Sequence, residues 1–406
     1  MDAWKWLRCL VLILPAAAVP AKAEVIRLTV RGTDQGPKRQ RLVEWPIPET
    51  LRTTPLTLRP GKTARPAQRS MDGERLFWIE DVGAGQEPRI LYDVETATDS
   101  AAPPATATLK ETAEAIEIVV AGSPVLSYHI APRLPDGVDA VYRRSGHIHP
   151  LRSPGGRVLT DEFPEDHRHQ HAIFFAWVNT RFEGRHVDFW NQPGREGIVE
   201  HREIVSKHSG PVQAGFHAKL THSETPKEQE ARPVLHEEWI VSAARLGDHH
   251  VVDLESRQRA ATDLPLEILK YHYGGMGIRG AAEWALKDKG GEGCEFLTSD
   301  GADRKKGDQA PCRWVRLSGT VGGNACGLAV LCHPANFRAP QPVRIHPAMP
   351  YFAFSPCIGG DFSIDNSRDY VSRYRIIAFD EVPTAEFLEA LWADYAQPLA
   401  AAAIED

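Results

Sequence analysis

The chain has 406 residues, with 47 Lys and Arg against 54 Asp and Glu, a net charge of −7. Such mild acidity excludes a nucleic-acid binder, which needs a basic footprint. The length exceeds the usual single domain, but large β folds run to roughly 200–250 residues or more as one unit.

The N-terminus predicts export. Lys5 and Arg8 flank the start of the apolar run Leu10-Val11-Leu12-Ile13-Leu14, followed by Pro15 and small residues ending Ala21-Lys22-Ala23. A charged region, a short apolar stretch and an A-x-A site form a secretory signal peptide over 1–23. The apolar run is far short of the roughly 20 residues that span a bilayer. We expect a mature chain from Glu24, periplasmic or secreted, with a net charge of about −9 by direct counting and no membrane insertion after cleavage. Expected partners are a small-molecule or oligosaccharide ligand and no nucleic acid.

The Pro/Arg/Thr-rich stretch from Pro46 to Arg69 has little periodicity and reads as extended or loop. Strand-like runs follow at Arg75–Ile79 and Arg89–Tyr92, and the Ala/Thr/Pro-rich segment Thr96–Thr108 reads as a linker. The expected division is a small N-terminal β module with its linker over 24–110 and a main β domain over 111–406. Beyond Ala115 strand follows strand: Ile116–Val120, Val125–Ile130, Val234–Ala243, His250–Arg257, Leu266–Tyr273, Trp314–Leu317, Leu328–His333 and Tyr374–Phe379. Gly, Pro, Asn or Asp punctuate the gaps. Only at the end does helical spacing appear: Phe387, Leu388, Leu391, Trp392 and Tyr395 after Pro383-Thr384, predicting a helix over about 384–396. The fold class is therefore all-β, a large antiparallel sandwich with a C-terminal helix.

Five of the seventeen histidines fall between positions 147 and 171. His147-Ile148-His149-Pro150 and Asp166-His167-Arg168-His169-Gln170-His171 share the His-x-His spacing, which on an extended backbone aims alternate imidazoles to one face. Histidine titrates near neutrality and is the commonest metal ligand. Three imidazoles at i, i+2 and i+4 span roughly 13 Å on a flat strand, so at most two of this block would bind one ion, and His149, His272 or His333 would complete the set. Downstream, Asp188-Phe189-Trp190 places a carboxylate beside two aromatic rings suited to the apolar face of a sugar; a capped turn is the competing reading. Tyr271-His272-Tyr273-Gly274-Gly275-Met276-Gly277-Ile278-Arg279 is too glycine-rich for a regular strand, which points to close approach by a ligand or another segment. His333-Pro334-Ala335-Asn336-Phe337-Arg338 ends a strand with turn chemistry. The five cysteines of the mature chain, Cys294, Cys312, Cys326, Cys332 and Cys357, imply at least one free thiol or an intermolecular bond. Cys326 and Cys332, roughly 20 Å apart if extended, cannot bridge each other without a turn between them. A G-x-S-x-G elbow, a P-loop, an H-E-x-x-H pair and a dinucleotide fingerprint are all absent, so no nucleotide cofactor is expected, whereas a divalent metal is possible.

The ordered set His147-Ile148-His149-Pro150, Pro154-Gly155-Gly156, Asp166 to His171, Asp188-Phe189-Trp190, Tyr273-Gly274-Gly275 and His333-Pro334-Ala335-Asn336 resembles a family of secreted bacterial proteins of unknown function often labelled "methane oxygenase PmoA-like". The likeness covers most of the chain after about Ser123. Many members carry two adjacent histidines and Arg-Gly where this chain has His169-Gln170-His171-Ala172. The label does not describe the activity, because the membrane methane-oxidising complex is built on transmembrane helices. The family is similar to galactose-mutarotase-type sandwiches, which implies a sugar cleft lined by His, Arg and acidic groups.

The leading expectation is an exported enzyme acting on a carbohydrate by proton transfer, of the epimerase, hydrolase or lyase kind. Its catalytic groups would be His169, His167, Asp166 and His272. Its substrate-binding groups would be His149, Asp188, Trp190, Arg279, Asn336 and Arg338. A metal-dependent oxygenase or hydrolase using His167, His169 and His333 is the first alternative, and a carbohydrate-binding protein without turnover the second. All these readings predict that His149, His167, His169, His272 and His333 converge on one concave site.

Overall fold

Period-2 burial governs the longest strands. In Arg232–Leu246 the side chains of Leu235, Glu237, Trp239, Val241 and Ala243 point inward, while His236 and Glu238 do not. One face of each such strand must therefore be covered by another layer. The computed structural model describes residues 25–30, 36–83, 90–96, 104–226, 230–285 and 293–404. The expected signal peptide and most of the expected linker lie outside them.

Gly197–His208, Gln213–Glu224, Arg232–Leu246, His249–Ala260, Tyr370–Phe379, Asn324–Cys332, Trp314–Val321 and Cys294–Thr298 form one eight-stranded antiparallel sheet, in that spatial order. A second has the order Val343–Ile345, Tyr351–Phe354, Gly275–Arg279, Ile173–Ala176, Ile148–Leu151, Ser123–His129, Ala115–Val120, Ala107–Glu111. Side chains from both merge into one continuous apolar core containing Tyr128, Phe174, Trp239, Leu254, Phe352 and Tyr374. A smaller sheet of Arg185–Val187, Thr180–Phe182, Leu266–Ile268 and Phe362–Ile364 joins the same core. The protein is thus all-β and built as an antiparallel sandwich.

The predicted helix forms at Ala385–Ala396, with Thr384 accepting a hydrogen bond from the Phe387 N–H at its start. Its Leu388, Leu391 and Tyr395 pack on Leu246, Val251, Trp314, Leu331 and Ile377, on the outer face of the large sheet.

The expected division at residues 110 and 111 needs correction at both ends. Ala107–Glu111 pairs with Ala115–Val120 and belongs to the main sandwich. Leu399–Ala403 returns from the helix to the N-terminal sheet. There it lies between Val25–Val30 (antiparallel) and Arg39–Pro46 (parallel). Leu399 and Ala401 are buried in that module's own core with Leu28, Val43, Trp45 and Trp78, so their apolar alternation fills a place no N-terminal strand fills. The stretch Pro46–Arg69, read as extended or loop, contributes the short strands Leu56–Arg59 and Ala67–Arg69. Among the described residues, Cys294, Cys312, Cys326, Cys332 and Cys357 are free thiols.

Candidate functional site

The histidine block does not lie on a strand. Residues 161–171 fold into a compact loop: Phe163 N–H donates to Gln170 C=O (3.1 Å), Gln170 N–H to His167 C=O (2.9 Å), and Glu162 bridges to His171. Phe163 and Ala172 bracket it with φ of 54° and 56°, left-handed values that non-glycine residues seldom adopt. Only after Ala172 does the apolar run become the strand Ile173–Ala176. The alternation expected of an extended backbone is therefore replaced by turns, and the three imidazoles diverge. His167 and His169 stay together, ring centroids 5.5 Å apart. His171 turns into the core, its Nε2 donating to Gln192 Oε1 (2.7 Å).

Arg279, only 1% exposed, holds this loop from beneath. Its guanidinium donates to both oxygens of Asp166 (3.0 and 3.2 Å) and to Gln170 Oε1 (2.9 Å). Arg279 is thereby a positioning residue rather than the substrate-binding group expected. Asp166 is committed to Arg279, with His167 Nδ1 3.7 Å away.

Above the loop opens a cleft of about 130 Å³, lined by His167, His169, His272 and His346 with Trp190, Tyr273, Arg344 and Tyr351 among others. Trp190 forms the floor, edge-on to Tyr273 (5.4 Å) and Tyr351 (6.1 Å). It is almost wholly buried, 1% exposed, so it offers a ligand very little surface. Gly277 makes room for it, since a Cβ there would meet Trp190 Cη2 at 2.6 Å. The close approach anticipated for the glycine-rich block is thus by another segment. His272 stands exposed at the rim, against the Tyr271 and Tyr273 rings. Tyr351 Oη is buried without a hydrogen-bond partner, and Arg344 pairs with Asp308 (2.6 Å).

Burial keeps His169, His272 and His346 on the neutral side. Burial, then His167 and Arg279, pull His169 down to about 4, despite Asp166. Burial, then Arg344 and His167, pull His346 to about 4 as well, and burial lowers His272. The tautomer of His346 follows from its partners. Its Nδ1 accepts the N–H groups of Ala348 and Met349 (3.1 and 3.0 Å), which leaves the proton on Nε2.

The expected convergence of five histidines holds for His167, His169 and His272. His149 lies elsewhere, its Nδ1 meeting Thr160 Oγ1 at 3.0 Å. His333 lines a separate groove of about 560 Å³ on the outer face of the large sheet, its ring 5.0 Å from Tyr395. A metal set of His167, His169 and His333 therefore does not assemble. Asp188 is a turn cap: its oxygens accept Trp190 N–H, Asn191 N–H and Asn191 Nδ2 at 2.7–2.8 Å, leaving little for hydroxyls. Asn336 exchanges two 2.8 Å hydrogen bonds with the Arg373 backbone, and Arg338 spends its guanidinium on the carbonyls of Pro356, Gly360 and Asp361. Both shape loops instead of facing the cleft. His346 and Arg344 escaped the sequence reading. Their signal was the His346-Pro347 pair closing the strand Val343–Ile345, the same ending as His333-Pro334.

No curated protein matches this chain. Residues 115–393 match the model described as "Family of unknown function (DUF6807)". That match spans the sandwich from the strand Ala115–Val120 onward and most of the C-terminal helix, and the chain belongs to this family.

Proposed function

We propose that the chain is an exported carbohydrate-active enzyme that binds a single sugar unit in this cleft and moves a proton on it through His169. The observation that carries the reading is the meeting of His167, His169, His272 and His346 with an aromatic floor in one concave site. Neutral imidazoles each offer one donor and one acceptor, the pairing that a sugar hydroxyl needs. His346 presents a donor from Nε2, and His169, uncharged above about pH 4, is free to accept a proton. Arg344 and Tyr351 Oη add donors on the same wall, while Trp190 and Tyr273 supply apolar edges for C–H groups. The cleft's small volume, below the roughly 300–1,000 Å³ of drug-sized sites, suits one ring rather than a chain of them. The likeness to mutarotase-type sandwiches noted from the sequence points to the same ligand class. Arg279 and Asp166 have no direct chemical role here; they fix the loop that bears His167 and His169.

The test is product analysis. Mature protein is incubated with a panel of monosaccharides, 3-keto-sugars and aryl glycosides, and each mixture is followed by proton NMR. Epimerisation, elimination or hydrolysis of at least one member is expected, and it should fall at least about a hundredfold in His169→Ala, as for loss of a general base. Activity should persist on acidification to about pH 5 and drop as pH approaches 4. Saturable binding with no product would make the protein a lectin-like binder, and a wild-type rate in His169→Ala would remove the assigned role.

A further inference from the structure

We propose that the chain also carries a metal-binding site outside the cleft, formed by His129, His147 and Glu162. One ligand atom from each of the three lies within 4.8 Å of the others. The site is built by strand pairing. His129 N–H donates to His147 C=O and Gly146 N–H to His129 C=O, both at 2.9 Å, which makes the two histidines cross-strand neighbours with ring centroids 4.7 Å apart. Glu162 reaches them from the histidine loop. His129 is 5% exposed, His147 0%, and the Glu162 side chain 7%.

The hydrogen bonds fix the tautomers. His129 Nε2 donates to His149 C=O (2.7 Å), and His147 Nε2 donates to Glu162 Oε2 (2.8 Å). Both Nδ1 atoms therefore carry lone pairs, and both are buried without a partner. Buried polar atoms are satisfied in roughly nine cases of ten or more, so an unpartnered Nδ1 on each of two neighbouring buried imidazoles, in a group that also holds a carboxylate, points to an acceptor of electron pairs. Two imidazoles and one carboxylate are the donor set of zinc and non-haem iron sites. Arg133, which bonds Glu162 Oε1 at 2.6 Å and is 45% exposed, and the buried Arg144 are the cations facing the site. Arg133 anchors the carboxylate, and its half-exposed side chain is what stands between the site and solvent.

The role assigned is structural. A divalent ion there ties the end of the strand Ser123–His129 to the loop of residues 161–171 that carries His167 and His169. Occupancy would then raise stability by mass action and stiffen one wall of the cleft, whatever the ligand of the cleft proves to be.

The experiment uses the mature protein without a histidine tag, stripped with chelator and titrated with Zn2+ alone. Elemental analysis should find about one equivalent after desalting, with a melting temperature raised by several degrees. Both should be lost in His129→Gln and in Glu162→Gln and kept in the double variant His167→Ala/His169→Ala. X-ray absorption on the wild-type zinc protein gives the same answer without any variant: nitrogen and oxygen scatterers at about 2.0–2.1 Å are expected. Less than about a tenth of an equivalent with no thermal shift would overturn the proposal. So would thiolate scattering at about 2.3 Å, or metal that survives Glu162→Gln but leaves with the cleft histidines.

Discussion

At the scale of single residues, the pair Arg279–Asp166 decides how the site is presented. A guanidinium this deeply buried is tolerated because Asp166, Gln170 and Met349 Sδ surround it. Replacing Asp166 by Asn keeps the shape but removes the counter-charge. Charge-assisted hydrogen bonds contribute roughly 1.5–3 kcal/mol, so urea denaturation should show Asp166→Asn less stable by about 2 kcal/mol. Sugar turnover should fall as well, through displacement of His167 and His169. An unchanged stability would mean that Arg279 is solvated and the loop free. These roles explain what was legible. A cluster of imidazoles is visible in a sequence, whereas the direction each one points is set by backbone turns at Phe163 and Ala172 that no residue type announces. Asp188, Asn336 and Arg338 have chemistry that suits a ligand equally well, and only their neighbours show that their polar atoms are already spent on the chain itself.

At the scale of elements, the C-terminal helix was readable because its capping threonine and its apolar spacing agree. Thr384→Ala should cost about 1 kcal/mol, the usual worth of such a cap, in denaturant unfolding, with no effect on the cleft. The strand that follows was not readable. Leu399–Ala403 is a run of alanines after one leucine, a composition that favours no strand, and its pairing is dictated by the gap between Val25–Val30 and Arg39–Pro46. A chain ended after Gln397 leaves two unpaired edges where there was one continuous sheet. We expect that truncation to melt the N-terminal module at lower temperature, seen as an early, separate calorimetric transition. A single transition at the wild-type temperature would contradict the interlocking of the two ends of the chain.

At the scale of the whole molecule, β class and strand succession were legible because period-2 patterning recurs through the chain, and burial of so many histidines has a collective consequence. His149, His169, His201 and His346 are each held down to about 4, chiefly by burial. In the unfolded chain they titrate near 6.5. Between those values the unfolded state binds more protons, so stability rises with pH across that window. It is complete above about 6.5 and is lost as pH falls toward 4. Asp161, raised to about 6 by burial, acts in the opposite sense, losing its contribution as pH rises through 6, but it is one group against four. Melting temperature should drop by several degrees from pH 7 to pH 4.5, and a flat profile would show that these imidazoles are solvated.

The central claim is that the cleft of His167, His169, His272 and His346 is a sugar site. Isothermal titration calorimetry tests it most directly, with the saccharide panel run against wild type, His169→Ala, His346→Ala and Thr384→Ala. The account predicts that at least one saccharide binds wild type and Thr384→Ala equally. Binding should be at least tenfold weaker in each cleft variant, about 1.4 kcal/mol for each tenfold. Absence of saccharide binding to the wild type, or affinities that ignore His169→Ala and His346→Ala, would contradict it.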